Sequence, residues 1–171
     1  KKVVFLGLTE IGAGIMAYPS IEKLRGTWSE ADVYLWVFQD NADFFNATGW
    51  FRPGRVIAMR SNSFWSLARD AFRNLWEIRK LGVDTIIDLE ASTRFSSLLC
   101  FLSGARTRIG FCARSPGFFY RGDLYTHRVT YDPATHISRN FRALVDQLSG
   151  RSQLDFSERE DLPFALPRVK M

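Results

Sequence analysis

Cysteine and histidine are scarce in this chain, two of each in 171 residues. Cys100 and Cys112 are too few for a disulfide framework and do not fall at metal-ligand spacing. Both read as free thiols of a reducing compartment, Cys100 on a helix and buried. His127 and His136 stand without acids or cysteines at ligand spacing, which leaves no zinc signature; His136 is expected in the cap region of the last helix. No stretch reaches the roughly 18 apolar residues of a membrane span. Internal repeats, low-complexity tracts, lysine-rich arms and nucleic-acid modules are also missing, so nucleic acid is not an expected partner. The net charge of +5 and pI near 9.5 favour an anionic ligand only mildly.

Aromatic residues, by contrast, are plentiful at 15%, with fifteen phenylalanines and five tryptophans. Such a surplus fits a large core, or a surface that another part of the protein covers. The length suits one domain with a substantial core.

The pattern alternates strand and helix. Val3–Leu8 is an uninterrupted apolar run, as in a strand buried on both faces. A turn, Thr9–Gly14, leads to a helix over Ile15–Leu24. Strands follow at Asp32–Phe38, Arg55–Met59, Val83–Leu89 and Arg106–Phe111, and His127–Tyr131 is a candidate sixth. Gln39-Asp40-Asn41 is a natural cap for a short helix through Asn46. Asn62 or Ser63 caps the longest helix, Phe64–Leu81, which Gly82 ends. Phe64, Ala68, Phe72, Leu75 and Ile78 form its apolar stripe, and Phe72 and Leu75 are expected to bury against the sheet. The next helix should turn Phe95, Leu98, Leu99 and Leu102 inward. The last, His136–Leu148, should bury Ile137, Phe141, Leu144, Val145 and Leu148. Cys112–Tyr125 reads as a long loop and residues 150–171, rich in polar residues and proline, as a linker. This rhythm predicts an α/β domain of three layers around a mostly parallel sheet, spanning residues 1–149, with Val3–Leu8 and Thr85–Leu89 as adjacent central strands.

Ligand crevices of open parallel sheets lie along the carboxyl ends of the strands. There the sequence places Thr9, Glu10, Gly12, Ala13 and Gly14, and further along Arg60, Glu90, Arg94 and Arg114. The glycines at 7, 12 and 14 fit neither the dinucleotide fingerprint nor the phosphate loop, and no cofactor is called for. The turn either contacts an anion through the free N–H groups of the helix start or is simply a tight connection. Glu10 and Glu90 fall on neighbouring strand ends, where one of a carboxylate pair can serve as a base; alternatively each is solvated or paired with Arg60 or Arg94. The arginines suit phosphate contacts, or form a solvated basic face.

Three segments together carry a resemblance over about residues 2–149. Leu8-Thr9-Glu10-Ile11-Gly12-Ala13-Gly14, with the helix through Pro19 to Leu24-Arg25, resembles the opening of the lipopolysaccharide heptosyltransferases of glycosyltransferase family 9. Asp88-Leu89-Glu90-Ala91 followed by Arg94 is similar to their aspartate-leucine-glutamine-glycine strand end, and Arg108-Ile109-Gly110-Phe111 to their arginine-isoleucine-glycine-phenylalanine strand. His136 and its helix also fit.

The resemblance implies the N-terminal, Rossmann-like half of a two-domain GT-B glycosyltransferase. This half would hold the acceptor, the anionic core of lipopolysaccharide, and residues 150–171 would lead to a C-terminal half that binds the ADP-heptose donor. It further implies a cytoplasmic location, peripheral contact with the inner membrane surface, and a fragment inactive without its donor half. The family aspartate held to be the general base falls on Ala13, which cannot accept a proton, and the family glutamine and glycine are Glu90 and Ala91. Either Glu10 or Glu90 has taken over as base, or acceptor and chemistry differ, or catalysis is lost. In the last case the chain is a non-catalytic glycan- or phosphate-binding domain.

Overall fold

The structure, a computed structural model, describes residues 1–8, 10–112 and 123–149. Its centre is β1 (Lys2–Leu6), whose Val3, Val4, Phe5 and Leu6 are all fully buried. Alternate side chains point to opposite faces of a strand, and β1 accordingly feeds two cores. Val3 and Phe5 join one apolar cluster and Val4 and Leu6 the other.

The order along the chain is β1, α1 (Ile11–Thr27), β2 (Asp32–Phe38), α2 (Gln39–Ala47), β3 (Val56–Met59), α3 (Phe64–Leu81), β4 (Thr85–Asp88), α4 (Arg94–Leu102), β5 (Thr107–Cys112), β6 (His127–Thr130) and α5 (Ile137–Asp146), which closes in a short 3-10 turn. The six strands are all parallel, in the order β3-β2-β1-β4-β5-β6. Val3 of β1 lies opposite Val33 on one side and Thr85 on the other, so the first and fourth strands are neighbours as expected. Helices α1, α2 and α5 cover one face through Ile21, Leu24, Phe45, Phe141 and Leu144. On the opposite face lie α3 and α4, through Ala71, Ile78, Leu99 and Cys100. This is the three-layer α/β architecture that the alternating pattern predicts.

Several details depart from the sequence reading. Helix α1 starts at Ile11, so Gly12, Ala13 and Gly14 belong to its first turn instead of to a loop. It continues through Pro19, which lacks the N–H a helical residue would donate. Helix α2 begins directly after β2, with Phe38 at its cap. Helix α3 is rotated from the expected phase. It buries Asp70, Ala71, Asn74 and Ile78, half-buries Leu75, and leaves Phe64 and Phe72 in solvent. The cause is polar: Asn74 Nδ2 donates to the Ala58 carbonyl of β3 at 2.9 Å, and Asp70 receives Arg60 at the end of the same strand. These bonds serve the edge strand and fix the helix around them. Helix α4 likewise buries Ser96, Ser97, Leu99 and Cys100, while Phe95, Leu98 and Leu102 are exposed. Ser96 and Ser97 tolerate burial because each hydroxyl donates to a carbonyl one turn back. Helix α5 buries the face expected, and Ser63 caps α3 in a reciprocal capping box with Ser66. Gly82 ends α3 in the left-handed region, at φ 63°.

Candidate functional site

In a parallel sheet every strand ends on the same side, so the carboxyl edge gathers the segments that follow β1 to β6. Backbone bonds hold the central part of this edge together beyond the strands proper. Gly7 N donates to Trp36 O and Leu89 N to Leu6 O, both at 2.9 Å. The residues after β1 and those after β4 are therefore juxtaposed, and Glu10 and Glu90 occupy adjacent strand ends as expected.

Their surroundings differ. Glu10 is exposed, stands at the N-cap of α1 in extended backbone, and makes no side-chain capping bond. Its carbonyl accepts from Ala13 N at 3.0 Å. Gly12 is exposed, and a side chain added there would meet nothing within 4 Å. The helix start is thus open on that side, and the N–H groups of a first turn have no intrahelical partner by construction. Ala13 is half-buried and packs against the apolar cluster beneath α1. Gly14 faces the ring of Phe45, where an added Cβ would fall 2.3 Å from a ring carbon. Its lack of a side chain lets α1 approach α2.

Glu90 is buried, and its backbone N–H donates to Asp88 Oδ1 at 2.9 Å, a turn closed by an aspartate side chain two residues back. The other oxygen of Asp88 accepts from the Tyr125 hydroxyl at 2.5 Å. Tyr125 in turn lies over Gly110, where a Cβ would come within 2.4 Å of the ring. Asp88, Tyr125 and Gly110 therefore hold the Glu90 turn in place. Sequence reasoning did not single out Asp88 or Tyr125 for this; the available signal was an acid inside the apolar run Ile86-Ile87-Asp88-Leu89.

Arg60 lies at the end of β3, two strands from β1, on the order of 10 Å across the edge at the usual strand spacing. It is not brought to Glu10 or Glu90. Its guanidinium grips Asp70 with two bonds, of 2.8 and 2.9 Å, and its backbone N adds a third at 3.2 Å. Those bonds from Arg60 hold the Asp70 carboxyl well below the usual carboxylate range, against the opposing effect of burial. Arg94 opens α4, exposed, immediately after the Glu90 turn. Thr9 and Arg114 lie outside the described residues, as do most of the Cys112–Tyr125 segment and residues 150–171. Phe111, just before that segment, and Tyr125, its last residue, are buried, so neither contributes to an exposed patch. His136 caps α5, its Nδ1 accepting from Ser138 N at 3.3 Å. Among the described residues no group of acids, histidines and cysteines could hold a metal ion, and no helix is long and apolar enough to cross a membrane.

An all-parallel sheet wound in this order, with its crevice along the carboxyl edge, is a Rossmann-like fold. Solved structures bear this out. Escherichia coli heptosyltransferase WaaC with ADP-2-deoxy-2-fluoro heptose matches at TM-score 0.71 and 14% identity, over 91% of this chain and 50% of that one. E. coli ADP-heptose lps heptosyltransferase II matches at TM-score 0.70 and 15% identity, over 100% and 46%. The glycosyl transferase family 9 protein of Veillonella parvula matches at 0.70 and 18% identity, over 86% and 41%. The chain thus spans about half the length of these proteins, with the fold expected of an N-terminal half. At the level of sequence no family model and no curated protein matches.

Proposed function

We propose that this chain is the acceptor-binding half of a glycosyltransferase that moves a sugar, heptose or a relative, from a nucleotide-sugar to an anionic glycan such as lipopolysaccharide core. One juxtaposition carries the reading. In a fold shared with heptosyltransferases, an exposed acid at an open helix start, Glu10, adjoins a second acid, Glu90, fixed on the neighbouring strand end.

In this reading Gly12 and the first turn of α1 receive an anionic group of the acceptor, and Arg94 adds a charge-assisted contact. Glu10 takes the proton from an acceptor hydroxyl. The oxygen forms a bond to the anomeric carbon as the bond to the leaving nucleoside diphosphate breaks. A base must lie within about 3.2 Å of that hydroxyl, directly or through one water. Glu10 is suited to reach it because its side chain is not committed to capping. The donor would bind to a second domain, and the half alone would not turn over.

A second reading has its own observation. Ala13, where the family aspartate stands, packs on the apolar cluster, and no acid occupies the first turn of α1. A glycan- or phosphate-binding domain without transferase activity would look the same. Incubating the complete encoded protein with a panel of nucleotide-sugars and extracted core glycan, with products read by mass, separates the two. Turnover with any pair supports the transferase. Tight acceptor binding without turnover across the panel supports the binding domain.

A further inference from the structure

The rotation of α3 leaves aromatic side chains outside: Phe64, Trp65, Phe72 and Trp76 are 74, 79, 76 and 55% exposed. At the pitch of an α-helix, Trp65, Arg69, Phe72, Trp76 and Arg79 form one outward stripe, opposite Asp70 and Asn74. The neighbouring α4, on the same face of the sheet, adds exposed Phe95, Leu98, Phe101 and Leu102. Apolar surface of this extent on two adjacent helices marks a site of contact. At roughly 150–250 Å² for a whole aromatic side chain, these residues leave on the order of 800 Å² open, about what each partner gives to an interface of standard size.

The order of residues along the stripe identifies the occupant. Trp65 and Arg79 lie equally far from Phe72, about two turns to either side, and Arg69 and Trp76 lie about one turn to either side. A second α3 laid antiparallel, with the two Phe72 rings at the centre, therefore meets each tryptophan with an arginine. Trp65 falls against the second copy's Arg79, and Trp76 against the second copy's Arg69. A guanidinium over an indole is attractive. One copy already shows such a pairing, with Lys80 Nζ 3.5 Å from the centroid of the Trp76 ring. The same setting brings Glu77 beside the second copy's Arg69. Among the described residues, Arg69, Glu77 and Arg79 have no ion pair within their own chain. We propose that α3 and α4 pair with the same helices of a second copy, about a two-fold axis at Phe72. Such an axis joins like flanks. Helix α4 then meets α4 through Leu98 and Phe101, while Arg73 and Lys80 stay at the wet rim, where salt screens their repulsion. An acidic partner would be served by any spacing of the arginines; only a second copy uses their symmetry about Phe72. Antiparallel helices send the carboxyl edges of the two sheets in opposite directions, so both crevices stay open. The pairing does not rest on the transferase reading.

Sedimentation velocity of the complete encoded protein, from about 1 to about 100 μM, tests this. The native chain should pass from monomer to dimer with a dissociation constant on the order of 10 μM, the weak end for an interface of this size. W65S/F72S should associate at least about tenfold more weakly, as expected on removing aromatics from the centre of an interface. Its circular dichroism should be unchanged, and so should its thermal midpoint at monomeric dilution, because both side chains are in solvent in the single copy. R69E and E77R should each pair with themselves about tenfold more weakly than the native chain, since either change sets two like-charged pairs face to face. Mixed in equal amounts, the two variants should pair with each other about fivefold or more tighter than either does alone, because the mixed dimer again opposes acid to base at both contacts. A native chain that stays monomeric at the top of the concentration range, whether or not it floats with anionic vesicles, overturns the proposal. Undiminished pairing by W65S/F72S overturns it as well, and so does a mixture of R69E and E77R that pairs no better than its parts.

Discussion

Glu10 and Glu90 sit a strand apart in opposite environments, and mutation should distinguish them. Glutamine keeps the shape and removes the charge, so on the transferase reading E10Q should lower turnover of the complete protein roughly 10²–10⁴-fold, the usual contribution of a general base. E90Q should cost less, and R94A should mainly raise KM for the acceptor. A13D restores the family acid on the third residue of α1, where a negative charge also suits the helix dipole; a gain in rate would show the rest of the site intact. Steady-state kinetics on the four variants decides, and full activity in both E10Q and E90Q would remove these acids from the mechanism. Asp70 offers a test by pH. Its carboxyl titrates below the ordinary aspartate value, so its contribution to stability is complete above about pH 4 and is lost as the pH falls below that toward the folded-state value. D70N should therefore unfold at a lower temperature than the native chain at pH 7. Melting curves taken down to about pH 3 should show the gap narrowing; a constant gap would separate the Arg60 pair from stability.

The helices show what periodicity can and cannot reveal. Exposed Phe72 should be nearly silent when changed to serine, within about 0.5 kcal/mol. Ile78 to alanine should cost about 2–5 kcal/mol, the usual range for a fully buried side chain of its size. Urea unfolding of both variants checks the pair, and the reverse order would restore the stripe that the sequence suggests. Strand identity and the central, adjacent places of β1 and β4 were legible because a strand covered on both faces must be apolar throughout, as Val3–Leu6 and Thr85–Leu89 nearly are. The phase of α3 was not, because its buried side contains Asp70 and Asn74, whose partners Arg60 and Ala58 lie on a strand that the helix pattern does not mention. The phase of α4 was hidden in the same way by serines bonded within their own helix. Of the site, the placing of Glu10 and Glu90 on adjacent strand ends followed from strand adjacency. The contrast between them did not, since it depends on the Asp88–Tyr125 bond between residues 37 positions apart.

At the scale of the molecule, the sheet is two runs of consecutive strands, β1-β2-β3 and β4-β5-β6, joined by the one long-range pairing of β1 with β4. Amides of β1 and β4 should accordingly exchange with solvent most slowly, and those of the outer strands β3 and β6 faster; hydrogen exchange by mass spectrometry reads this directly, and uniform rates would contradict it. The same order has a consequence for synthesis. The first strand to leave the ribosome is the middle of the finished sheet. Once β2 and β3 have followed, β1 is paired on one side only, and its other edge waits for β4, whose Thr85 lies opposite Val3. During that interval the nascent chain presents a fully apolar, unpaired edge, the kind of surface that recruits other chains. A chain that has emerged only as far as Gly82 would be at its most adhesive stage, and one that has emerged as far as Thr130 would hold a sheet already closed around its first strand.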